Sequence, residues 1–334
     1  MTSPRIGIVA IVVAALLAAM PAHAESYDQL KKWCYGEATD AQSLHGCAAI
    51  IAANREAKTD IAVAFMNRAL AYKNLGQLNA ALADLDRALN LRPVFPEALA
   101  VRAATWVAKG DRLRALQDYD LAIKQRPDFE DAIHNRGTVR AVLKDYDGAI
   151  ADYDLAIKLD PRDPFPHSSR GNAFFNKGQI ERARQDYSMA LQLKADHTPA
   201  LYNRARVLTS QGAYTAALAD LNEVIRIAAD FDALMSRGFV HGRLRDPVGA
   251  IADYDRAVTL RPDAAAAWNE RALAHRANGD TARAIADFSR AIELVADYPE
   301  AFNNRGLAYR DQADFNRALA RSEEHTSELQ SRFG

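Results

Sequence analysis

The stretch PEALAVRAATWVAKGDRLRALQDYDLAIKQRPDF, residues 96–129, decides the fold of this 334-residue chain. Its 34-residue pattern recurs eight times without a break over residues 62–320. Every copy has Ala at one shared position and a residue with almost no side chain, Gly or Ala, twelve residues earlier. A period of this length is typical of stacked copies of one small unit, each of which buries its apolar face against its neighbours.

Each copy is predicted to form two helices joined by a turn. In the quoted stretch, Leu99, Ala103 and Trp106 recur at the spacing of one helix face. Gly110 tolerates the left-handed conformation that ends a helix, and Asp111 offers a carboxylate to the free N–H groups of the next helix. The predicted fold class is therefore all-α, a solenoid of helical hairpins.

These residues resemble the tetratricopeptide repeat family. The resemblance lies in small residues at positions 8, 20 and 27 of the repeat, Pro at position 32, and an aromatic residue near position 24, as at Tyr119 and Tyr153. It covers about three quarters of the chain and implies a right-handed superhelical solenoid of helix–turn–helix repeats. In that family the first helices of the repeats line a concave surface that holds peptides or partner helices.

On this resemblance, positions 2, 5, 9, 12 and 13 of each repeat point into the groove. The predicted partner-binding residues at these positions are Phe165, Asn172, Phe175, Asn176, Tyr202, Arg206, Phe239, Arg243, Arg276 and Arg310. Aromatic residues and Arg are the types most often found as binding anchors, and this mixture suits an extended peptide with apolar and acidic groups. The alternative is that Phe175 and Phe239 merely pack against the next repeat.

A second regularity departs from the Leu that is usual at position 7 of the family, because every copy has Arg there, and the first seven copies have Asp sixteen residues later. Guanidinium and carboxylate groups pair through two parallel hydrogen bonds, so we predict an Arg–Asp ladder that staples the helices, within or between repeats. The alternative is an Arg row offered to an acidic ligand, although an equal Asp row would neutralise such a site. The predicted ladder residues are Arg68, Arg102, Arg136, Arg170, Arg204, Arg237, Arg271, Arg305, Asp84, Asp118, Asp152, Asp186, Asp220, Asp253 and Asp287.

The two cysteines, Cys34 and Cys47, precede the regular repeats, in residues 25–61. This segment is predicted to form an N-terminal helical cap or degenerate repeat. When the 34-residue register is extended back by one copy, Cys47 falls on the all-Ala position and Cys34 lies next to the Gly/Ala position, where paired helices approach most closely. In an oxidising compartment such a pair favours a structural disulfide. Two reduced, buried cysteines are the alternative.

Residues 1–24 have the pattern of an export signal. A short basic segment is followed by fifteen apolar residues, 6–20, and then by Ala22-His23-Ala24, the small–x–small pattern read by signal peptidase. The apolar run is shorter than the roughly 20 residues that a membrane-spanning helix needs. Cleavage after Ala24 is therefore favoured over an uncleaved anchor. We expect a periplasmic or secreted protein with no membrane span after signal cleavage.

The last fourteen residues, 321–334, depart from the repeat. An Asp is due at position 321, but Arg321 appears and is followed by SEEHTSELQS. This string resembles the in-frame translation of a sequencing adapter, and such segments are excluded from fold reasoning. A native polar tail is the alternative. On the adapter interpretation, the eighth repeat is truncated at residue 320.

Composition and motifs exclude several function classes. With 42 basic and 43 acidic residues, the formal charge of −1 provides no long-range field for nucleic acid. The sequence contains no HExxH motif, no Walker-type glycine loop and no GxGxxG motif after a predicted strand. We therefore predict no catalytic, cofactor-binding or metal-binding residue.

The leading hypothesis is a non-enzymatic protein–protein interaction scaffold of the cell envelope. It would bind partner peptides or helices in the concave groove. One alternative is the substrate-recruiting repeat region of an envelope enzyme whose C-terminal catalytic domain is missing from this sequence. Another is self-association through exposed ends of the solenoid.

Overall fold

The structure is a computed structural model that describes residues 25–313. The predicted export signal, the adapter-like tail and the end of the eighth repeat lie outside the described residues. Within residues 25–313 the chain forms helices and no β-strand. It divides into two compact parts, Met1–Gln125 and Arg126–Gly334, called here the N-terminal unit and the C-terminal unit. Each is built of stacked helical hairpins, so the prediction of an all-α repeat solenoid is confirmed.

The N-terminal unit consists of three hairpins. In each, the first helix packs against the second, and the second helix of one hairpin contacts the first helix of the next. The six helices are α1 (Tyr27–Tyr35), α2 (Asp40–Ala53), α3 (Lys58–Asn74), α4 (Leu78–Leu91), α5 (Pro96–Lys109) and α6 (Arg112–Gln125).

The C-terminal unit has five complete hairpins that pack in the same way. Their helices are α7 (Glu130–Val142), α8 (Tyr146–Leu159), α9 (Pro164–Asn176), α10 (Ile180–Leu193), α11 (Thr198–Ser210), α12 (Tyr214–Ile227), α13 (Phe231–Arg243), α14 (Pro247–Leu260), α15 (Ala265–Ala277) and α16 (Thr281–Leu294). A further helix, α17, begins at residue 299 and extends through residue 313, where the description ends.

In the seven complete hairpins from α3–α4 to α15–α16, the turn uses one left-handed residue. Gly110 has φ of 87° and ends α5. Lys144 and Arg245 adopt positive φ, 66° and 59°, at the same repeat position, so two hairpins make this turn without glycine. Asp246 then begins α14, because its side chain accepts a hydrogen bond from the N–H of Gly249 at 2.9 Å. The four other glycines at this turn position are Gly76, Gly178, Gly212 and Gly279.

The close approach of the paired helices depends on the small residue of the first helix. A Cβ placed on Gly171 would lie 2.7 Å from Cε1 of Tyr187, which is fully buried on the facing helix. Ala205, in the next hairpin, faces the smaller Leu221 in the same cluster. The same fit of glycine to tyrosine occurs at Gly137 with Tyr153 and at Gly238 with Tyr254.

The first hairpin is closed by a covalent bond. Cys34 of α1 and Cys47 of α2 form a disulfide, with their Cα atoms 4.6 Å apart, and both side chains are buried. In the repeat register, Cys34 occupies the position that is Arg in the later repeats, and the buried Ile50 occupies the position that is Asp. The disulfide and an apolar contact thus replace the Arg–Asp pair in this hairpin.

The stacks curve with their first helices on the inside. Within each unit, first helices of successive hairpins contact one another, as α9 contacts α11 and α11 contacts α13. Among the described helices, the second helices of successive hairpins make no such contacts. The first helices therefore line the inner side of each unit. No helix within residues 25–313 is long and apolar enough to cross a membrane.

Candidate functional site

The inner side of the C-terminal unit exposes aromatic rings. Phe165 and Phe239 are 48% and 47% exposed, although large apolar side chains are usually buried. The ring of Phe165 meets the ring of His197 edge-on at 5.1 Å between centroids. Phe175 is half-buried and packs beneath Arg206 of the next hairpin. Of the two phenylalanines whose role the sequence leaves open, Phe175 packs against the next repeat, whereas Phe239 remains half exposed.

Hydrogen bonds within and between hairpins hold the polar side chains of the inner side. The side-chain oxygen of Asn172 accepts hydrogen bonds from the hydroxyl of Tyr187, at 2.8 Å, and from Nδ2 of Asn203, at 2.9 Å. The hydroxyls of Tyr202 and Ser236, one hairpin further along, lie 3.3 Å apart. These contacts orient the side chains before any ligand arrives.

Two arginines of the inner side have no carboxylate partner among the described residues. The guanidinium of Arg206 lies 5.1 Å from the ring centroid of Phe175 and donates to Oδ1 of Asn203 at 3.3 Å. The guanidinium of Arg243 lies 5.3 Å from the ring of Tyr214, and its Nε donates to the tyrosine hydroxyl at 2.9 Å. Aromatic faces and neutral acceptors position both groups and leave their charge unneutralised.

The remaining predicted groove residues lie apart from this pair. Nε of Arg276 donates to Oδ2 of Asp311 at 2.7 Å, so its charge is already paired. Arg310 lies 3.9 Å from the same carboxylate and is mostly exposed. Asn176 is exposed at the end of α9. The ten predicted residues thus do not form one continuous site.

Two adjoining cavities, which share Phe239 and Arg243, bring the central predicted residues together. The first, of about 420 Å³, is lined by Gly238, Phe239, Gly242, Arg243, Arg245, Pro247, Ala250, Tyr254, Glu270, Leu273, Ala274 and Ala277. The second, of about 720 Å³, is lined by Phe175, Ala205, Arg206, Thr209, Ser210, Tyr214, Leu221, Met235, Ser236, Phe239 and Arg243. We call them the apolar cavity and the arginine cavity.

Sequence reasoning missed three residues of this site. Tyr214 begins a second helix, α12, so no inward position of the repeat predicts it. Gly242 occupies position 12, which is Thr209 in the preceding repeat and Arg276 in the following one, and it is the only glycine at this position in the eight copies, which was the available signal. Glu270 lines the apolar cavity from position 6 of its repeat, which is not among the positions predicted to point inward.

Glu270 is the acidic group of the apolar cavity. Burial raises the pKa of Glu270, and the hydrogen bond that Nδ2 of Asn269 donates to its Oε1, at 3.3 Å, offsets this only in part. Burial, and next the charge of the Glu270 carboxylate, also raise the pKa of Tyr254, which leaves its hydroxyl protonated at physiological pH.

The ladder arginines lie against the Asp of their own hairpin. Nε and Nη2 of Arg170 donate to the two carboxylate oxygens of Asp186 at 2.8 and 2.7 Å. The same two-pronged geometry joins Arg68 to Asp84, Arg102 to Asp118, Arg136 to Asp152, Arg204 to Asp220, Arg237 to Asp253 and Arg271 to Asp287. Each of these carboxylates is buried. The residue sixteen positions after Arg305 is Arg321, which lies outside the described residues.

The third nitrogen of the same guanidinium reaches the preceding hairpin. Nη1 of Arg271 donates to Oδ1 of Asp255 at 2.8 Å, and Nη1 of Arg237 donates to Oδ1 of Asn222 at 2.9 Å. Further contacts of this kind include those of Arg102 with Asp86, Arg170 with Asp154, Arg204 with Ser188 and Arg305 with Ser289. The sequence spacing left open whether each Arg pairs within its own repeat or with a neighbouring repeat. In the structure the guanidinium groups make both kinds of contact.

Electrostatics favour the charged form of these pairs. Hydrogen bonds to Asp186, and next to Asp154, raise the pKa of Arg170. Burial raises the pKa of Asp186, but hydrogen bonds from Arg170 and His167 outweigh it, so this pKa lies below its ordinary value. Because both charges are engaged, the ladder offers no free arginine row to an acidic ligand.

Within residues 25–313, no three His, Cys, Asp or Glu side chains cluster in a way that could hold a metal ion. The chemistry that the described groove offers is recognition by aromatic faces, apolar cavities and two guanidinium groups.

Family models match the chain over much of the repeat region. A tetratricopeptide repeat model matches residues 169–233 and 240–302, a TPR repeat model matches residues 143–178, and another tetratricopeptide repeat model matches residues 62–95. A comparison with curated protein sequences finds no match.

Solved structures with the same fold include those of YrrB, PilF and PilW. YrrB, described as a TPR protein with an unusual peptide-binding site, is 18% identical, with 56% of this chain and 97% of that chain covered and a TM-score of 0.53. PilF of Pseudomonas aeruginosa is 17% identical, with 62% and 95% covered and a TM-score of 0.58. PilW, a type IV pilus biogenesis factor, is 19% identical, with 60% and 94% covered and a TM-score of 0.56. At these identities the likeness concerns the fold alone.

Proposed function

Because this chain belongs to the tetratricopeptide repeat family, we propose that it is a non-enzymatic scaffold that binds partner peptides or helices along the inner side of its C-terminal unit. The observation that carries the proposal is the pair of adjoining cavities around Phe239 and Arg243. Aromatic residues and Arg in a concave, partly apolar surface are the features of a binding site.

We place this scaffold in an oxidising compartment, either the periplasm or the outside of the cell. The disulfide between Cys34 and Cys47 supports this location, because disulfides persist in oxidising compartments and are rare in the cytosol. The export pattern of residues 1–24 supports it independently.

Structural relatives make such a role reasonable at the level of the fold. YrrB is described as having a peptide-binding site and PilW as a pilus biogenesis factor. A scaffold that assembles or holds envelope components would use the same architecture, with its own groove residues choosing the partner.

The proposal is tested by affinity capture from a periplasmic extract with the full-length protein as bait. We expect the wild type to retain specific partners and the double variant Tyr202→Ala/Arg206→Ala to lose most of them, because both side chains lie on the inner side.

The matched control is Met189→Ala/Arg184→Ala, which removes one large side chain and one arginine from exposed positions of α10. Equal recovery of every partner by the wild type and both double variants would overturn the groove as the binding surface.

A further inference from the structure

We propose that the two adjoining cavities bind one peptide segment, in which a large apolar side chain enters the apolar cavity and a neighbouring carboxylate lies between Arg206 and Arg243. This inference rests on the proposed scaffold function and names the chemistry of its partner. It follows from the shape of one cavity and the charge of the other.

The apolar cavity exists because of Gly242. A Cβ placed on Gly242 would meet no atom of the described residues within 4 Å, so the space beside α13 is open. At the same repeat position Phe175 and Arg276 carry side chains long enough to occupy such a space. The volume of about 420 Å³ falls in the range of ligand cavities. A large apolar side chain would gain the stabilisation that comes from removing its surface from water.

The arginine cavity has the opposite character. Arg206 and Arg243 both line it, and none of the described residues that line it is an Asp or Glu. Elsewhere in the same unit the ladder arginines are saturated by carboxylates, as Arg170 is by Asp186. Two unneutralised guanidinium groups in one cavity are complementary to a carboxylate, which each could bind with two hydrogen bonds.

Both guanidinium groups are held in place before a ligand binds. Arg206 stacks on Phe175, and Arg243 stacks on Tyr214 and donates a hydrogen bond to its hydroxyl. Holding a side chain in its bound conformation lowers the entropy lost on binding. The cavity is therefore organised for an anion and does not need to rearrange to receive it.

One ligand spans both cavities because they share residues. Phe239 and Arg243 line each of them, and Phe239 is 47% exposed at their junction. A side chain in the apolar cavity would contact one face of Phe239, while the carboxylate would reach Arg243 from the other side. The partner therefore carries Phe, Leu or a similar residue within a few positions of Asp or Glu.

The test uses the full-length protein, immobilised, and three matched pools of synthetic peptides. The first pool places one Phe or Leu one to four residues from a Glu, the second replaces Glu by Lys, and the third replaces the Phe or Leu by Ala. We expect the first pool to be retained at least tenfold more than either of the others. Its retention is expected to fall with added salt, because charge pairing contributes to it.

Two kinds of variant separate the two cavities. Gly242→Leu fills the apolar cavity at a helical position with open space, so it is expected to fold and to retain the first pool at least tenfold less. Arg206→Gln/Arg243→Gln is expected to weaken retention to a similar degree and to remove most of its salt dependence. Ala108→Leu, on an exposed part of α5, and Arg226→Gln, on α12, are the matched controls and should bind as the wild type does.

Each outcome decides between the two proposals. Preference for the basic or the alanine pool, or undiminished retention by Gly242→Leu, overturns the acidic–apolar assignment. If such a preferred pool is lost in Tyr202→Ala, the groove still binds peptides and the scaffold function stands. If no pool binds and the partners captured from periplasm are insensitive to every groove variant, the scaffold function falls as well.

Discussion

At the scale of single residues, the hairpins are tuned by pairs that fit each other in size. Gly171 leaves room for the ring of Tyr187, whose nearest atom would lie 2.7 Å from an added Cβ. The next hairpin has Ala205 and Leu221 at the same two positions. In these two hairpins the small residue and the facing side chain differ together, as dense packing of interiors favours. Ala103 with Tyr119 and Ala272 with Phe288 show that other hairpins accommodate alanine beside a ring.

We expect Gly171→Ala to lower the free energy of unfolding by about 1 to 2 kcal/mol, because overpacking costs about 1–3 kcal/mol and outweighs the roughly 1 kcal/mol of helix propensity that Ala adds. In a Tyr187→Leu background, the same change should instead be stabilising, because the pair then matches Ala205 and Leu221. Urea unfolding of the four proteins measures this sign change. Destabilisation of equal size in both backgrounds would refute the size-matching argument.

Glu270 gives the groove a dependence of stability on pH. Burial raises its pKa in the folded protein above that of the unfolded chain, so between the two pKa values the folded state holds more protons than the unfolded state does. The free energy of unfolding therefore falls as the pH rises from the unfolded pKa to the folded pKa. The contribution of Glu270 to stability is lowest above the folded pKa. We expect Glu270→Gln to be stabilising at pH 8 and close to neutral at pH 4. Thermal unfolding at both pH values measures the difference, with the exposed Glu300→Gln as control.

At the scale of helices, each ladder arginine serves two carboxylates of unequal burial. The side chain of Asp287 is 9% exposed and that of Asp255 is 54% exposed, yet both accept hydrogen bonds from Arg271. Breaking a buried ion pair leaves an uncompensated charge, whereas an exposed pair is screened by water. The pairing inside the hairpin should therefore dominate the energetics.

We expect Asp287→Asn to lower the free energy of unfolding by about 3 kcal/mol and Asp255→Asn to lower it by less than about 1 kcal/mol. Double-mutant cycles with Arg271→Met should give a large coupling energy for the first pair and a small one for the second. Coupling of similar size for the two pairs would contradict the ranking by burial.

The helices themselves could be predicted from the sequence, because their period, Gly turns and Asp caps are local signals. Gly110 and Asp246, for example, end and begin helices as their residue types predict. The turns at Lys144 and Arg245 were not accessible, since neither residue type favours positive φ and the surrounding hairpin imposes it. The Asp that each Arg contacts could not be predicted either, because spacing alone does not give the distance between helices.

At the scale of the whole molecule, the N-terminal unit carries a disulfide in addition to its Arg–Asp pairs. The disulfide lies in the first hairpin of the N-terminal unit, where the Arg–Asp pair is replaced. In repeat arrays each hairpin contacts only its neighbours, so the effect of a local change decays along the stack.

We expect Cys34→Ser/Cys47→Ser to remove about 3 kcal/mol of stability from the first hairpin, by the loop-closure entropy of a loop of this length. Hydrogen exchange of the full chain should show faster exchange in α1 and α2, a smaller effect in α3, and none in the C-terminal unit. Uniformly faster exchange along the chain would contradict the nearest-neighbour behaviour of the array.

The candidate site was predictable only in part at this scale. The repeat register identified Phe239, Arg206 and Arg243 as inward residues, because inward positions recur with the period. It did not distinguish them from Arg276, whose charge is paired with Asp311 of α17. A cavity depends on what neighbouring hairpins leave unfilled, and that is a property of packing rather than of spacing.

The two-sided contacts of the ladder have a consequence for how such a chain changes length. A hairpin such as residues 130–163 carries its own Arg136 and Asp152, and it also presents Asp154 to the Arg170 that follows. If a segment of this length is duplicated in tandem, the arginine of the inserted copy can donate to the acceptor of the preceding hairpin. The acceptor of the inserted copy in turn serves the arginine of the following hairpin. Copy number can therefore drift by whole repeats through recombination without leaving a buried charge unmatched, whereas an insertion of any other length breaks a pair at each end.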